Sequence, residues 1–141
     1  MVCPLEPAFP IEFFVLGTPV SLQTKRPEAK AEWQVRVKAA SLTALPEGHF
    51  ATSSPIAATL YYFPDDEMEG DIDNIVKPVL DALEKHIYLN DRQVHRVVAQ
   101  KFEPGNIFPF AAPSEILENA LIRTKPLLYI RLSVNPFEEL A

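Results

Sequence analysis

Runs of apolar residues with two different spacings follow one another along this 141-residue chain. Short runs rich in aromatic and β-branched residues, several of them bounded by proline or glycine, are typical of strands. They predict four strands, at Phe9–Leu16, Ile56–Phe63, Val94–Phe102 and Leu127–Val134. The second run is apolar at nearly every position between Pro55 and Pro64, which indicates a central strand covered on both faces.

Apolar positions at helical spacing predict helices between these strands. A stripe that includes Trp33 predicts a first helix from about Glu28, ended before Pro46. The long connection 104–126 carries a shorter helical pattern at Pro113–Arg123. Strands interleaved with helices predict an α/β (α+β) domain, with a mixed sheet of about four strands and two or three helices.

The second helix is predicted from a stripe that starts at Ile75 and ends near His86 or Ile87. Asp73 stands where an N-cap is expected, because its carboxylate could accept hydrogen bonds from backbone N–H groups at the helix start. Pro78 lies inside the first turns of this predicted helix and must remove one helical hydrogen bond, which predicts a kink near the start.

Composition narrows the class of protein. With 48% hydrophobic and 23% charged residues, the chain can bury an ordinary core, which excludes disorder as its main state. Cys3 is the only cysteine, so no intrachain disulfide is expected, and a reducing compartment fits. No apolar stretch approaches the ~20 residues that cross a bilayer, and prolines interrupt the region where a signal peptide would be continuously apolar. We therefore expect a cytoplasmic protein without a membrane partner.

Charge is distributed unevenly along the chain. The net charge is −6, which by itself disfavours a nucleic-acid partner, because phosphate affinity comes mainly from Lys and Arg. However, the segment Val20–Ala40 carries five basic residues against two acidic ones, whereas Asp65–Asp73 carries six carboxylates in nine positions and no base. Carboxylates this close together extend into solvent, take up protons or bind a cation.

Three aspartates and one lysine are the candidate catalytic groups. Asp71 and Asp73 are two residues apart, so in an extended segment their side chains point to the same side, and Asp91 follows after the second helix and a turn. Carboxylates without neighbouring His or Cys suit Mg²⁺ or Mn²⁺, and Lys77 could place an ammonium beside a phosphate. The alternative is a solvated turn, with Asp73 only a cap and Lys77 an i,i+4 partner of Asp73 or Asp81.

The string GDIDNIVKPVLDALEKHIYLNDRQV, residues Gly70–Val94, resembles the signature of the RusA-type Holliday-junction resolvases. In that signature, DxDNxxKxxxDAL is followed further along the chain by an Asp-x-Gln turn that ends in Val or Ile. The likeness covers roughly Ile11–Phe102, with Leu127–Val134 as the closing strand. It implies a RusA-like fold and a homodimeric, Mg²⁺-dependent endonuclease that nicks four-way DNA junctions symmetrically in recombination and repair.

The resemblance also assigns roles by position. Asp71, Asp73 and Asp91 match the metal-binding acids of the family, which implies Mg²⁺, or Mn²⁺ in its place, as the cofactor. Lys77 matches its catalytic lysine. Asn74 matches the Asn of the motif, and we expect it to give structural support.

We expect one RusA-like nuclease domain over residues 1–141, with an insertion at 104–126 and a frayed tail at 137–141. Branched DNA is the implied partner. Phosphate contacts are predicted for four basic residues, Lys25, Arg26, Lys30 and Arg92. For Arg92 an ion pair with the acidic loop is the alternative.

Two other functions are also considered. The net charge and the acidic run Asp65–Glu69 suit a catalytically weak or inactive RusA-like module that binds DNA or another protein. A metal-dependent hydrolase of a small phosphorylated substrate would tolerate the acidic surface better than an enzyme that acts on long DNA. Junction cleavage, junction binding without cleavage, and cleavage of a mononucleotide ester distinguish the three functions.

Overall fold

Four strands form one sheet in the computed structural model, which describes residues 7–105 and 109–138. The strands are β1 (Ile11–Leu16), β2 (Ile56–Phe63), β3 (Val94–Lys101) and β4 (Leu127–Ser133). Their order across the sheet is β1-β4-β2-β3. β4 is antiparallel to both of its neighbours, whereas β2 and β3 are parallel. The predicted mixed sheet of about four strands is confirmed.

Three α-helices accompany the sheet in the described part of the chain. They are α1 (Pro27–Ser41), α2 (Val76–Leu83) and α3 (Glu115–Ile122). Short 3-10 helices lie at Leu42–Ala44, Ile72–Ile75 and Asp91–Gln93. With the sheet they make a single small α+β domain, as the alternation of apolar patterns predicted.

Apolar residues fill both faces of the sheet. Ala58, Leu60 and Tyr62 of β2 belong to the larger core, together with buried residues of α1 and α2. Tyr61 and Phe63 alternate to the other face, where α3 packs over a smaller core. Because β2 is buried at all but one of its positions, the prediction of a central strand covered on both faces is confirmed.

The second helix starts later than predicted. α2 begins at Val76, after the 3-10 helix Ile72–Ile75, so the prediction of Asp73 as its N-cap is wrong, and Ile75 holds that position. Pro78 is then the third helical residue, where a backbone N–H has no partner within the helix in any case. The prediction that Pro78 removes a helical hydrogen bond is therefore also wrong.

The second helix also ends earlier than predicted. Its last residue is Leu83, and a turn closed by a short backbone bridge follows. Glu84 has an extended backbone and pairs with Tyr88, whose hydroxyl donates to a carbonyl of α2 at 2.6 Å. His86, predicted near the helix end, lies instead in this turn, with its Nε2 2.8 Å from Ser41 Oγ. This packed turn leads the chain from α2 toward β3.

Two predicted segments lie partly outside the described residues. Segment 104–126 contains α3, which Ser114 caps by accepting a backbone N–H, and its status as an insertion stays a prediction. The described part of the tail 137–141 ends at Glu138, which pairs with Arg131 at 2.5 Å. No helix among the described residues combines the length and the apolar character needed to cross a membrane.

Candidate active site

An acidic cleft of about 300 Å³ lies where the chain leaves β2. Five carboxylates of one loop line it, at Asp65, Asp66, Glu67, Glu69 and Asp71. The Met68 backbone N–H donates to Glu103 Oε2 at 2.8 Å, which ties this loop to the residues that follow β3. Tyr62 also lines the cleft, and burial raises the pKa of its hydroxyl, which therefore stays neutral at neutral pH. The cleft concentrates negative charge at one end of the sheet.

Asp71 and Asp73 stand together at the start of the 3-10 helix Ile72–Ile75. Asp71 holds the N-cap position with an extended backbone, and Asp73 lies in the first turn, so the strand-like alternation expected for the pair is wrong. Both residues are exposed, and neither carboxylate forms a hydrogen bond or ion pair with another described residue. Such donors fit Mg²⁺ or Mn²⁺, because Mg²⁺ is commonly held by one or two carboxylates together with waters and phosphate oxygens.

The loop between β1 and α1 packs against the aspartate segment. Thr18 and Ser21 line the acidic cleft, and the Leu22 backbone N–H donates to the Asn74 carbonyl at 2.7 Å. The Asn74 N–H in turn donates to the Asp71 carbonyl at 3.1 Å. Asn74 thus joins the two segments through backbone hydrogen bonds, and its supporting role in the site stays a prediction.

The predicted phosphate-binding residues are accessible. Lys25 and Arg26 are exposed at the start of α1, and Lys30 is half-buried one turn further on. Arg26 pairs with Glu28 at 3.4 Å, but an exposed pair of this kind contributes little and can be replaced by another anion. Arg92 is exposed, and within the described ranges its guanidinium forms no ion pair with the acidic loop. Contact with phosphate stays a prediction for all four.

Lys77 lies in the first turn of α2 and pairs along the helix. Its Nζ is 2.5 Å from Asp81 Oδ1, so its i,i+4 partner is Asp81 and not Asp73. The hydrogen bond that Lys77 donates to Asp81 raises the pKa of Lys77, and the charges of Asp81, Asp91 and Glu84 raise it further. The ammonium therefore stays charged at neutral pH. Because the Lys77 side chain is 51% exposed, a ligand can reach it from solvent.

Asp91 opens a 3-10 turn whose shape is fixed by its neighbours. The Asp91 backbone N–H donates to Glu84 Oε2 at 2.9 Å. Asn90 and Gln93 form a capping box, in which Asn90 Oδ1 accepts from the Arg92 N–H at 2.9 Å and Gln93 Oε1 accepts from the Asn90 N–H at 2.8 Å. Sequence analysis gave Glu84 no role and placed Gln93 only in the Asp-x-Gln turn of the family signature, although the Asn-x-x-Gln spacing is a capping signal that could have identified its local role.

The candidate acids come from two segments of the chain, one before α2 and one before β3. Val94, the first residue of β3, pairs with Ile56, the first residue of β2. Asp91 therefore lies near the N-terminal end of this parallel pair of strands. Asp71 lines the cleft beyond the far end of β2. Among the described residues, no group of three or more His, Cys, Asp or Glu side chains is arranged to hold a metal ion. The charge of Asp91 contributes to the raised pKa of Lys77, and joint ligation by all three aspartates stays a prediction.

Comparison with known families defines the class of this protein. The chain matches a family model of endodeoxyribonucleases, described as Endodeoxyribonuclease RusA, over residues 17–108. The match extends over more than half of the chain and includes α1, β2, α2 and β3. The chain therefore belongs to the RusA endodeoxyribonuclease family, and the resemblance seen in its residues is confirmed. Comparison with individual curated proteins gives no match.

Proposed function

We propose that this protein is a Mg²⁺-dependent, structure-selective DNA endonuclease that resolves four-way junctions by paired nicks in recombination and repair. The observation that carries the proposal is the family match over residues 17–108, which encloses all three candidate aspartates, Lys77 and the basic residues around the start of α1. Exposed carboxylates and a nearby ammonium are groups that serve phosphodiester hydrolysis in metal-dependent nucleases.

Asp71, Asp73 and Asp91 are the proposed ligands of the divalent ion, Mg²⁺ or Mn²⁺. When bound, the ion supplies a more acidic water and shields the charge of the phosphate. Asp71 and Asp73 offer exposed oxygen donors at one helix start. The backbone of Asp91 is held by the hydrogen bond that its N–H donates to the Glu84 carboxylate.

Lys77 is the proposed catalytic cation. Its ammonium is protonated and half-exposed, and Asp81 holds it through a solvent-screened pair. A phosphate that enters beside Asp91 can therefore compete for it. In the transition state, negative charge builds on the phosphate oxygens, and the ammonium stabilises that charge more strongly than it stabilises the ground state.

The proposed substrate is branched DNA, and the proposed assembly is a homodimer. A four-way junction has an approximate two-fold axis, so a dimer with the same symmetry supplies one active site for each of two matched cuts. Lys25, Arg26, Lys30 and Arg92 are the proposed phosphate contacts. Three of them are exposed and Lys30 is half-buried, so none belongs to the core and all can contact the DNA backbone without its rearrangement.

The test is cleavage of a synthetic four-way junction by the single variants Asp71→Asn, Asp73→Asn and Asp91→Asn, each assayed in Mg²⁺, Mn²⁺ and EDTA. Each substitution keeps the size of the side chain but removes a charged oxygen donor, so we expect a loss of at least ~10²-fold in rate with the fold retained. Glu118→Gln removes the same charge from an exposed position of α3, outside the family match, and serves as the control.

Full activity of the three aspartate variants would refute the proposed site. A second function, a RusA-like module that binds junctions without cutting them, is favoured by the four other carboxylates that line the cleft with Asp71, because they repel DNA phosphates there. Gel-shift binding of the unmodified protein without metal-dependent nicking would select that function. Cleavage of a mononucleotide ester but not of a junction would select a hydrolase of small phosphorylated substrates.

A further inference from the structure

We propose that Gln93 is the positioning residue that fixes the turn carrying Asp91, an inference that rests on the proposed role of Asp91 in cleavage. Gln93 ends the 3-10 helix that Asp91 begins. Its Oε1 accepts from two consecutive backbone N–H groups, those of Leu89 at 2.9 Å and Asn90 at 2.8 Å. Leu89 and Asn90 immediately precede Asp91, so this one oxygen atom fixes the backbone conformation of the segment that positions Asp91.

The other end of the same amide is attached to a different part of the fold. Gln93 Nε2 donates to the carbonyls of Thr52 at 2.8 Å and Ser54 at 2.9 Å, in the segment that leads into β2. That segment is itself fixed, because Thr52 is buried and its N–H donates to the Ile87 carbonyl at 2.8 Å. Gln93 therefore joins the turn to the start of the central buried strand.

This arrangement uses the whole hydrogen-bonding capacity of a glutamine side chain. A primary amide offers two N–H donors and one oxygen with two lone pairs, and all four positions are occupied here. Glutamate in its place would direct a carboxylate at two carbonyl oxygens, and an apolar side chain would leave two donors and two acceptors without partners. The site therefore requires both halves of the amide at this position.

All four hydrogen-bonding positions of the Gln93 amide are taken by the protein backbone, so Gln93 acts through Asp91 and not on the substrate. Groups in a supporting shell typically change metal affinity or activity 10- to 100-fold when they are removed, because the residues that they hold lose their orientation. A displacement of ~1 Å at a reacting group is enough for a loss of ~10²-fold in rate.

The experiment compares Gln93→Met with Gln100→Met, a substitution of the same kind at an exposed glutamine of β3. Four quantities are measured: thermal unfolding, hydrogen exchange of the Leu89 and Asn90 amides, Mn²⁺ binding to the metal-free protein by calorimetry, and kcat/KM for junction cleavage. For Gln93→Met we expect a folded protein with faster exchange of both amides and at least ~10-fold losses in Mn²⁺ affinity and kcat/KM. Gln100→Met should match the unmodified protein in all four.

Asp91→Asn is measured in the same experiment, so that failure of the role proposed for Asp91 can be distinguished from failure of the role proposed for Gln93. If Asp91→Asn cleaves junctions normally, the role proposed for Asp91 is wrong, and the inference about Gln93 is overturned with it. If Asp91→Asn is inactive but Gln93→Met keeps normal Mn²⁺ affinity and kcat/KM while its two amides exchange freely, Gln93 is only structural. Should Gln93→Met fail to fold, Gln93→Glu replaces it, because glutamate keeps the acceptors of the Leu89 and Asn90 N–H groups but loses both donors to the Thr52 and Ser54 carbonyls. Normal Mn²⁺ affinity and kcat/KM in that variant would overturn the inference.

Discussion

Replacement of Lys77 by methionine should separate its catalytic role from its role in α2. Methionine keeps the unbranched shape and the helix propensity of lysine but removes the charge. The ion pair that is lost joins residues four apart on a helix, with the Lys77 and Asp81 side chains 51% and 32% exposed. Pairs of this kind contribute ~0.3–0.5 kcal/mol after solvent screening. For a domain of this size we therefore expect a fall in Tm of only about 1–2 °C.

The expected effect on catalysis is several times larger in free energy. Loss of one group that stabilises transition-state charge typically lowers kcat by ~10²–10³-fold, which corresponds to ~2.7–4 kcal/mol. Lys77→Arg keeps the positive charge but changes its geometry, so its rate should lie between those of the lysine and methionine forms. The ratio of the catalytic loss to the stability loss is therefore the quantity that identifies Lys77 as a catalytic group.

The assay is single-turnover cleavage of a four-way junction at saturating Mg²⁺, with thermal unfolding measured on the same samples. Lys38→Met is the control, because Lys38 is also an exposed lysine on an α-helix, in the last turn of α1. If Lys77→Met cleaves within ~3-fold of the unmodified rate, ΔG‡ has changed by less than about 1 kcal/mol. That result would refute a catalytic role, and Lys77 would serve only to form an ion pair on α2.

Two further predictions concern stability. Gly17 has φ +117°, so Gly17→Ala should lower the free energy of unfolding by ~1–3 kcal/mol through backbone strain. The new Cβ would also lie 2.8 Å from Arg36 Nη1 and displace the Arg36 guanidinium from its hydrogen bond to the Leu16 carbonyl, which should lower stability further. Gly105→Ala, with φ +88° and open space around the new atom, should show only the strain; equal losses in denaturant unfolding would contradict this account. The hydrogen bond from Arg131 lowers the pKa of Glu138, so this carboxylate stabilises the fold above its unfolded pKa, and that stability is lost as the pH falls through the lowered pKa. Glu138→Gln should therefore be less stable by ~0.5–1 kcal/mol at pH 7 and equal to the unmodified protein near pH 3, and a constant difference across that range would exclude the pair as the cause.

The fold could be predicted from the sequence because its strongest signals come from burial on both faces of the sheet. β2 is apolar at nearly every position since both faces pack against cores, and the same holds for most of β4. Such runs show no alternation of apolar and polar residues, but proline and glycine mark their ends clearly. Element type and order were therefore accessible without knowledge of which strands pair.

The details of the site were less accessible, because they depend on contacts between segments distant in sequence. The start of α2 was misplaced because Asp73 has the chemistry of a cap, whereas the 3-10 helix that precedes Val76 leaves no signal of its own. Gln93 donates its hydrogen bonds to carbonyls some forty residues earlier in the chain. The i,i+4 spacing allowed Lys77 to pair with either Asp73 or Asp81, and only the structure identifies Asp81 as its partner.

The position of β3 at the end of the sheet order has a consequence for solubility. β3 is hydrogen-bonded to β2 on one side, and no described strand covers its other side. An uncovered edge of this kind can add strands from other molecules and so start aggregation. Three basic or titratable residues, His95, Arg96 and Lys101, interrupt β3 and oppose such pairing. Apolar replacements along this edge would therefore lower solubility before they altered the cores.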